Sequence, residues 1–223
     1  MIKLQGSSNE NFIVLGLGRS GMTSARALNA SGANVICWDD DPEKRSLASS
    51  QGLRVKGSVS DFDWESIDRL IISPGVPNHF PVPHPTVSAA VSAGVLIDND
   101  VGLFFQSIAT KSWDKFSVRP RIVAVTGSNG KSTTASLLHH IFLKLGYKSQ
   151  LAGNIGRGVL DIDPPENNEL IVLELSSYQI EVARILSPDL AIFTNFSADH
   201  LERHGGIGGY LAAKLRVYCL LYT

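Results

Sequence analysis

The chain has 223 residues, of which 43% are hydrophobic and 18% charged, enough apolar material for one large or two small packed domains. That composition excludes disorder as the main state. Its 20 Lys and Arg against 21 Asp and Glu leave a formal charge of −1, so there is no global basic field to draw nucleic acid or an anionic membrane.

Short apolar runs alternate with helical stretches, the pattern of an α/β protein with parallel sheets. Phe12-Ile-Val-Leu15 reads as a buried strand. Residues 20–31 read as a helix with Met22, Ala25 and Leu28 on one face and Gly32 as its stop. Asn34-Val-Ile-Cys-Trp38 and Leu70-Ile-Ile72 are further strands, the latter running into the turn Ser73-Pro74-Gly75. A weak helix follows over 85–93, ending at Gly94. Residues 108–120 mix Lys111, Lys115 and Arg119 with aromatics and show no period. They read as a linker between domains at 1–107 and 121–223; the alternative is a surface loop inside one domain. Arg121-Ile-Val-Ala-Val-Thr126 is then a strand, and residues 132–145 a helix. Its Leu137, Leu138, Ile141, Phe142 and Leu145 form one expected apolar stripe, closed by Gly146. Leu170-Ile-Val-Leu173 and Leu190-Ala-Ile-Phe193 are continuous apolar runs, as strands buried on both faces should be.

The two cysteines, Cys37 and Cys219, are far apart, which excludes a disulfide scaffold and makes a reduced, cytoplasmic setting the expectation. The N-terminus turns polar at once and lacks the apolar core of a signal peptide. No apolar run reaches the ~18–20 residues of a membrane span.

The strongest chemical signal is Thr126-Gly-Ser-Asn-Gly-Lys-Ser-Thr133, set between a strand and a helix. Glycines let backbone N–H groups curl around phosphate oxygens, and the helix N-terminus adds its positive end. Lys131 can reach a terminal phosphate and the Ser132 hydroxyl a Mg²⁺ ion. The long phosphate-loop spacing wants Gly where Val125 stands, so the match is to the shorter Gly-x-x-Gly-Lys-Ser form. Gly16-Leu-Gly-Arg-Ser-Gly21 follows the first strand, with Asp39 and Asp40 about 20 residues on. Its readings are a dinucleotide or diphosphate turn, or simply a tight glycine turn for helix–sheet packing. Glu174 closes a buried strand, where a carboxylate needs a cation or an ion pair with Lys or Arg. Asn195-Phe-Ser-Ala-Asp-His200 falls on the same rim, and Asp199 and His200 suit a cation or a substrate carboxylate. His200 and His204 do not make a zinc-protease motif, because Glu202 is at the wrong place. His79, His84, His139 and His140 read as plain surface or packing residues. Lys214 reads as a solvated helix lysine.

Together these residues resemble the Mur ligase family, and within it the D-glutamate-adding ligases. The resemblance is carried by the phosphate loop, Ala152-Gly-Asn-Ile-Gly156, Leu173-Glu-Leu-Ser-Ser-Tyr-Gln179, Asn195 to His200 and Ala212-Ala-Lys-Leu-Arg216. Folylpolyglutamate synthases share the phosphate loop but are not expected to show this set.

The resemblance implies a Rossmann-like N-terminal domain that binds the UDP end of UDP-N-acetylmuramoyl-L-alanine, then an incomplete ATP-binding P-loop domain. Gly18, Arg19 and Ser20 would face the diphosphate, and Asp39, Ser73, Pro74 and Gly75 would lie near the uridine. Asn154 and Ser177 would contact the substrate. Gly127, Ser128, Asn129, Gly130, Lys131, Ser132 and Thr133 would bind ATP. Ser132 and Glu174 would hold a first Mg²⁺, and His200 with a carbamylated Lys214 a second. Lys131, His200 and Lys214 would be the catalytic set. The implied reaction forms an acyl phosphate from ATP, which the D-glutamate amine then displaces.

Family members carry a longer central domain and a third domain with the amino-acid site. Neither follows Thr223, and the sequence departs from the family pattern after Arg216. The expectation is a truncated, monomeric chain that does not complete the reaction and has no nucleic-acid or membrane partner. The competing readings are an NAD-dependent enzyme, a nucleotide-binding module without catalysis, and a sister ligase for another amino acid.

Overall fold

A computed structural model of the chain describes residues 2–109 and 116–218. Among these residues the strands form two sheets, each four-stranded and parallel. The first orders its strands β2 (Asn34–Trp38), β1 (Asn11–Leu15), β3 (Arg69–Ile72) and β4 (Leu96–Asp98). The second orders β6 (Ser149–Gly153), β7 (Leu170–Glu174), β5 (Arg121–Thr126) and β8 (Leu190–Phe193). The apolar runs are what make the central strands: Phe12, Ile13 and Val14 in β1 and Ile171, Val172 and Leu173 in β7 are fully buried.

The helices are α1 (Arg19–Ala30), α2 (Pro42–Ser50), α3 (Pro85–Ser92), α4 (Asp100–Ala109), α5 (Lys131–Lys144), α6 (Ser177–Val182) and α7 (Ile207–Leu215). Their ends follow local chemistry. Asp41 caps α2 by accepting from the Glu43 N–H, with Pro42 in the first turn. Gly32, at φ 83°, lets the Ala33 N–H reach back to the Leu28 carbonyl and stop α1.

Several elements differ from expectation. The stripe on α5 is split: Leu138 and Phe142 pack against Val123, Val125 and Val172, but Leu137, Ile141 and Leu145 are exposed. The helix meets the sheet over a narrow line centred on buried Ala135, too narrow for five large side chains. Between Gly94 and the expected linker, where the sequence pattern marks no element, stand β4 and α4, and α4 buries Val101, Leu103, Phe104, Phe105 and Ile108. Strand β6, Ser149-Gln-Leu-Ala-Gly153, is an edge strand, and so is β8 at the other side of the sheet, so Leu190-Ala-Ile-Phe193 is not buried on both faces as expected: with one neighbour strand only, Leu190 is exposed and the other three are half-buried. Of the expected 108–120 segment, residues 110–115 lie outside the described residues, as does Cys219. Cys37 is a free, buried thiol.

The largest apolar cluster lies between the halves, where Leu28, Leu103 and Phe104 share a core with Leu160, Ile171 and Leu173. The chain start belongs to it too: Ile2 and Leu4 are buried, and the Ile2 N–H donates to the Leu160 carbonyl at 3.1 Å. Polar links cross the same junction. Asn99 Nδ2 donates to the Gln179 carbonyl at 2.8 Å, and the Arg184 N–H to Asp98 Oδ1 at 3.1 Å. No helix among the described residues is long and apolar enough to cross a membrane.

Candidate nucleotide-binding site

Both glycine turns stand at the carboxyl ends of parallel strands, where open α/β sheets bind ligands. The first lies between β1 and β3. A Cβ on Gly21 would sit 1.7 Å from the Gly16 carbonyl oxygen, so α1 and the turn touch through glycine alone. Gly16, at φ 87°, has a conformation that L side chains rarely adopt. Gly18 faces open space. A cavity of about 430 Å³ opens here, and Gly18, Arg19, Ser20, Asp39, Ser73, Pro74 and Gly75 are among the residues that line it.

Several of those side chains already have tasks in the turn. Asp39 accepts from the Leu17 N–H at 2.6 Å and the Asp41 N–H at 2.9 Å. The Ser73 hydroxyl donates to the Gly16 carbonyl at 2.7 Å. The Arg19 guanidinium leaves the turn and donates to the carbonyls of Asn154 and Gly156 in the other half. These residues build the cavity and leave backbone N–H groups to meet an anion.

His84 corrects its surface reading. Its Nδ1 accepts from the Thr86 N–H to cap α3, its Nε2 meets Asp40 Oδ2 at 2.9 Å, and it lines the cavity.

The second turn lies between β5 and α5. A Cβ on Gly127 would meet Thr194 Oγ1 at 2.1 Å, and Gly130 has φ 76°. Ser128, Asn129 and Thr194 lock the loop to the 194–197 segment. Gly130 caps α5, so Lys131, Ser132 and Thr133 form its first turn, where an anion is favoured. Lys131 Nζ donates to the Ser128 carbonyl at 2.8 Å.

Glu174 is buried at the end of β7. Its partners are neutral: the Ser132 hydroxyl at 2.9 Å and Asn154 Nδ2 at 3.2 Å. No Lys or Arg pairs with it among the described residues, so the ion-pair alternative falls. A buried carboxylate beside a hydroxyl at a phosphate turn fits a Mg²⁺ ion, which takes one or two protein oxygens and fills its shell with water and phosphate.

Lys214 also departs from its reading as a solvated lysine. It is buried, its Nζ donates to the Gly127 carbonyl at 2.7 Å, and it lies over the Tyr210 ring. Burial, reinforced by Lys131, pulls its pKa down to about 8. His200 stays half-exposed, 3.5 Å from Asp199.

A second cavity, of about 320 Å³, gathers Lys131, Asn154, Ser176, Ser177, Asp199, His200 and Lys214. Its wall includes Pro74 and Gly75, which also line the first cavity. The Ser177 hydroxyl is held by His204 Nε2 at 2.9 Å. Burial keeps the His204 imidazole below its ordinary pKa, against the opposing pull of Glu181. Sequence reading missed Tyr178, Tyr210 and Arg203, which pack around these groups.

The model of the Mur ligase middle domain matches residues 125–221. By that match and by its relatives, the chain is similar to the Mur ligases. It is 54% identical over 220 residues to the UDP-N-acetylmuramoylalanine–D-glutamate ligase of Dinoroseobacter shibae, covering 99% of this chain and 47% of that protein. It is 56% identical over 218 residues to the ligase of the same name from Roseobacter denitrificans, covering 98% and 47%. The chain thus spans about half the length of the curated relatives it matches. Among solved structures it resembles the UDP-N-acetylmuramate:L-alanyl-gamma-D-glutamyl-meso-diaminopimelate ligase from Neisseria meningitides, with a TM-score of 0.59 at 17% identity, over 96% of this chain and 69% of that one. That likeness shows the fold.

Proposed function

We propose that the chain is the nucleotide-binding part of an ATP-dependent, cytoplasmic ligase that adds D-glutamate to UDP-N-acetylmuramoyl-L-alanine. Residues 1–107 and 121–223 act as two domains joined by 108–120, in a monomer. The observation that carries this reading is the pair of cavities sharing the Pro74-Gly75 wall. A substrate whose diphosphate sits on the Gly16–Gly21 turn can extend past that wall, so that its far carboxylate reaches the phosphate loop. The competing NAD reading leaves the second turn and cavity without a task.

In this reading the loop N–H groups of residues 127–133 cradle ATP, and Lys131 swings from the Ser128 carbonyl to the γ-phosphate. Asn154 orients the alanine carboxylate for in-line attack on the γ-phosphorus, giving an acyl phosphate and ADP. The D-glutamate amine then displaces phosphate to form the amide. Holding these reactants together supplies much of the acceleration.

Ser132 and Glu174 would hold one Mg²⁺, with His200 and a carbamylated Lys214 for another. The metal's contribution when bound is to offset charge on the transferring phosphoryl group. A lysine ammonium repels a cation, whereas its carbamate offers anionic oxygen, and a lowered pKa exposes the neutral amine that CO₂ requires. In this reading the D-glutamate site belongs to the part of the relatives that this chain does not span.

Calorimetric titration of the chain with UDP-N-acetylmuramoyl-L-alanine, with NAD as control, tests the proposal. Binding of the UDP-sugar and not NAD supports it. Binding of NAD, or of neither ligand by the folded chain, overturns the assignment of the first cavity.

A further inference from the structure

Resting on that reading of the two cavities, we propose that Arg203 is a positioning residue that ties occupancy of the UDP-sugar cavity to occupancy of the ATP cavity. Arg203 closes a 3-10 turn, Leu201–Arg203, that begins directly after His200. Its guanidinium crosses to the other half of the molecule. There Nη1 donates to the Gly75 carbonyl at 3.3 Å, and Nη2 lies 3.1 Å from the Val76 carbonyl and 3.5 Å from that of Pro74. One planar fork thus holds three successive carbonyls of the segment that walls both cavities.

The flat face of the same guanidinium lies 4.7 Å over the Tyr178 ring. Tyr178 in turn meets the His200 ring at 5.3 Å and stacks on His204 at 5.2 Å. A contiguous path of packed groups therefore runs from the 74–76 wall to His200. The turn has its own local support, from the Val76 N–H to the Ser73 carbonyl and from Ser73 to Gly16, so it does not need Arg203 to form. What Arg203 adds is a link between halves. A diphosphate pressing on the wall displaces the guanidinium, and with it Tyr178 and His200. Lysine cannot substitute, because one ammonium neither spans three carbonyls nor lies flat on a ring.

The test is a thermodynamic cycle on the whole chain, with UDP as one probe and Mg²⁺ with a non-hydrolysable ATP analogue as the other. Calorimetry gives each affinity with and without the second ligand saturating, and the two ratios must agree. The expected coupling is at least about fivefold, the low end of the usual range. Arg203→Ala and Arg203→Lys should both bring it to within twofold of none, with each ligand's separate affinity and the melting temperature kept. Retained coupling in Arg203→Lys overturns the proposal. So does a general loss of affinity and melting temperature in both variants, which would mark a structural role. Both ligands binding the unsubstituted chain without coupling overturns this inference and leaves the cavity assignments standing. Failure of either ligand to bind overturns the assignments and this inference together.

Discussion

The first glycine turn allows packing and binding to be separated by two substitutions three residues apart. Gly21→Ala places a methyl 1.7 Å from the Gly16 carbonyl oxygen and 2.9 Å from the Ser73 hydroxyl. Neither neighbour can retreat cheaply. Gly16 is pinned by its own N–H to the Trp38 carbonyl at 2.8 Å, and its oxygen accepts from Ser73. Relief requires α1 to move away from the turn, against buried Met22, Ala25 and Leu28. Such overpacking costs typically ~1–3 kcal/mol and sometimes more. At 3 kcal/mol, and ~2–4 °C per kcal/mol for a chain of this size, melting falls by roughly 6–12 °C. Gly18→Ala is the opposite case. Its backbone, at φ −72° and ψ −168°, suits alanine, and nothing lies within 4 Å of the added methyl. Its melting temperature should not change, but the methyl enters the space where a phosphate approaches the backbone. UDP affinity should fall at least about tenfold, or ~1.4 kcal/mol. Thermal melting and calorimetry read both variants. A Gly21→Ala chain that melts normally, or a Gly18→Ala chain that binds UDP normally, refutes the division of labour.

Three further outcomes are expected. Glu174→Gln should leave metal-free ATP binding intact while the gain from Mg²⁺ drops about tenfold or more, measured by titration at fixed Mg²⁺. Burial raises the Asp98 pKa from 3.8 to about 6, so the folded chain binds more protons between about pH 4 and 6 and loses stability as pH rises through that window. Since Oδ1 alone accepts both of its backbone hydrogen bonds, Asp98→Asn should melt higher at pH 7, by up to ~3 kcal/mol, and match the unsubstituted chain below pH 4. Lys214 has the complementary sign. Its folded pKa of about 8 lies below the ordinary 10.5, so the unfolded chain binds more protons in between. Stability should rise from pH 8 to pH 10 relative to Lys214→Met, whose melting curve lacks that contribution.

What could be read from sequence was what is local. Buried parallel strands are continuous apolar runs, and β1, β5 and β7 stand out for that reason, whereas β8 carries such a run at a sheet edge with Leu190 exposed. Both glycine turns are contiguous strings whose backbone needs are fixed within six to eight residues. Edge strand β6 has no such run, because only Ala152 and Gly153 in it are buried. Helix α4 is apolar nearly all round, and a period reveals a stripe only when another face is polar. The misread side chains are those with distant partners. Lys214 finds the Gly127 carbonyl 87 residues away, and His84 finds Asp40 across 44. Arg203 reaches the 74–76 carbonyls across 127 to 129. Sequence neighbours do not decide the environment of Lys214 or His84, and they give no sign of the role of Arg203. The exposed Leu137, Ile141 and Leu145 show the reverse limit, since periodicity marks a face but not how much of it a sheet can cover.

The bond from Ile2 to Leu160 sets an order of events during synthesis. Ile2 and Leu4 belong to a core whose other wall is made 158 residues later, so they cannot settle when they leave the ribosome. At ~5–20 residues per second, Ile2 and Leu4 wait about 8–32 s for Leu160 to be added. For that interval two large aliphatic side chains are open to any chaperone or protease that reads exposed apolar segments.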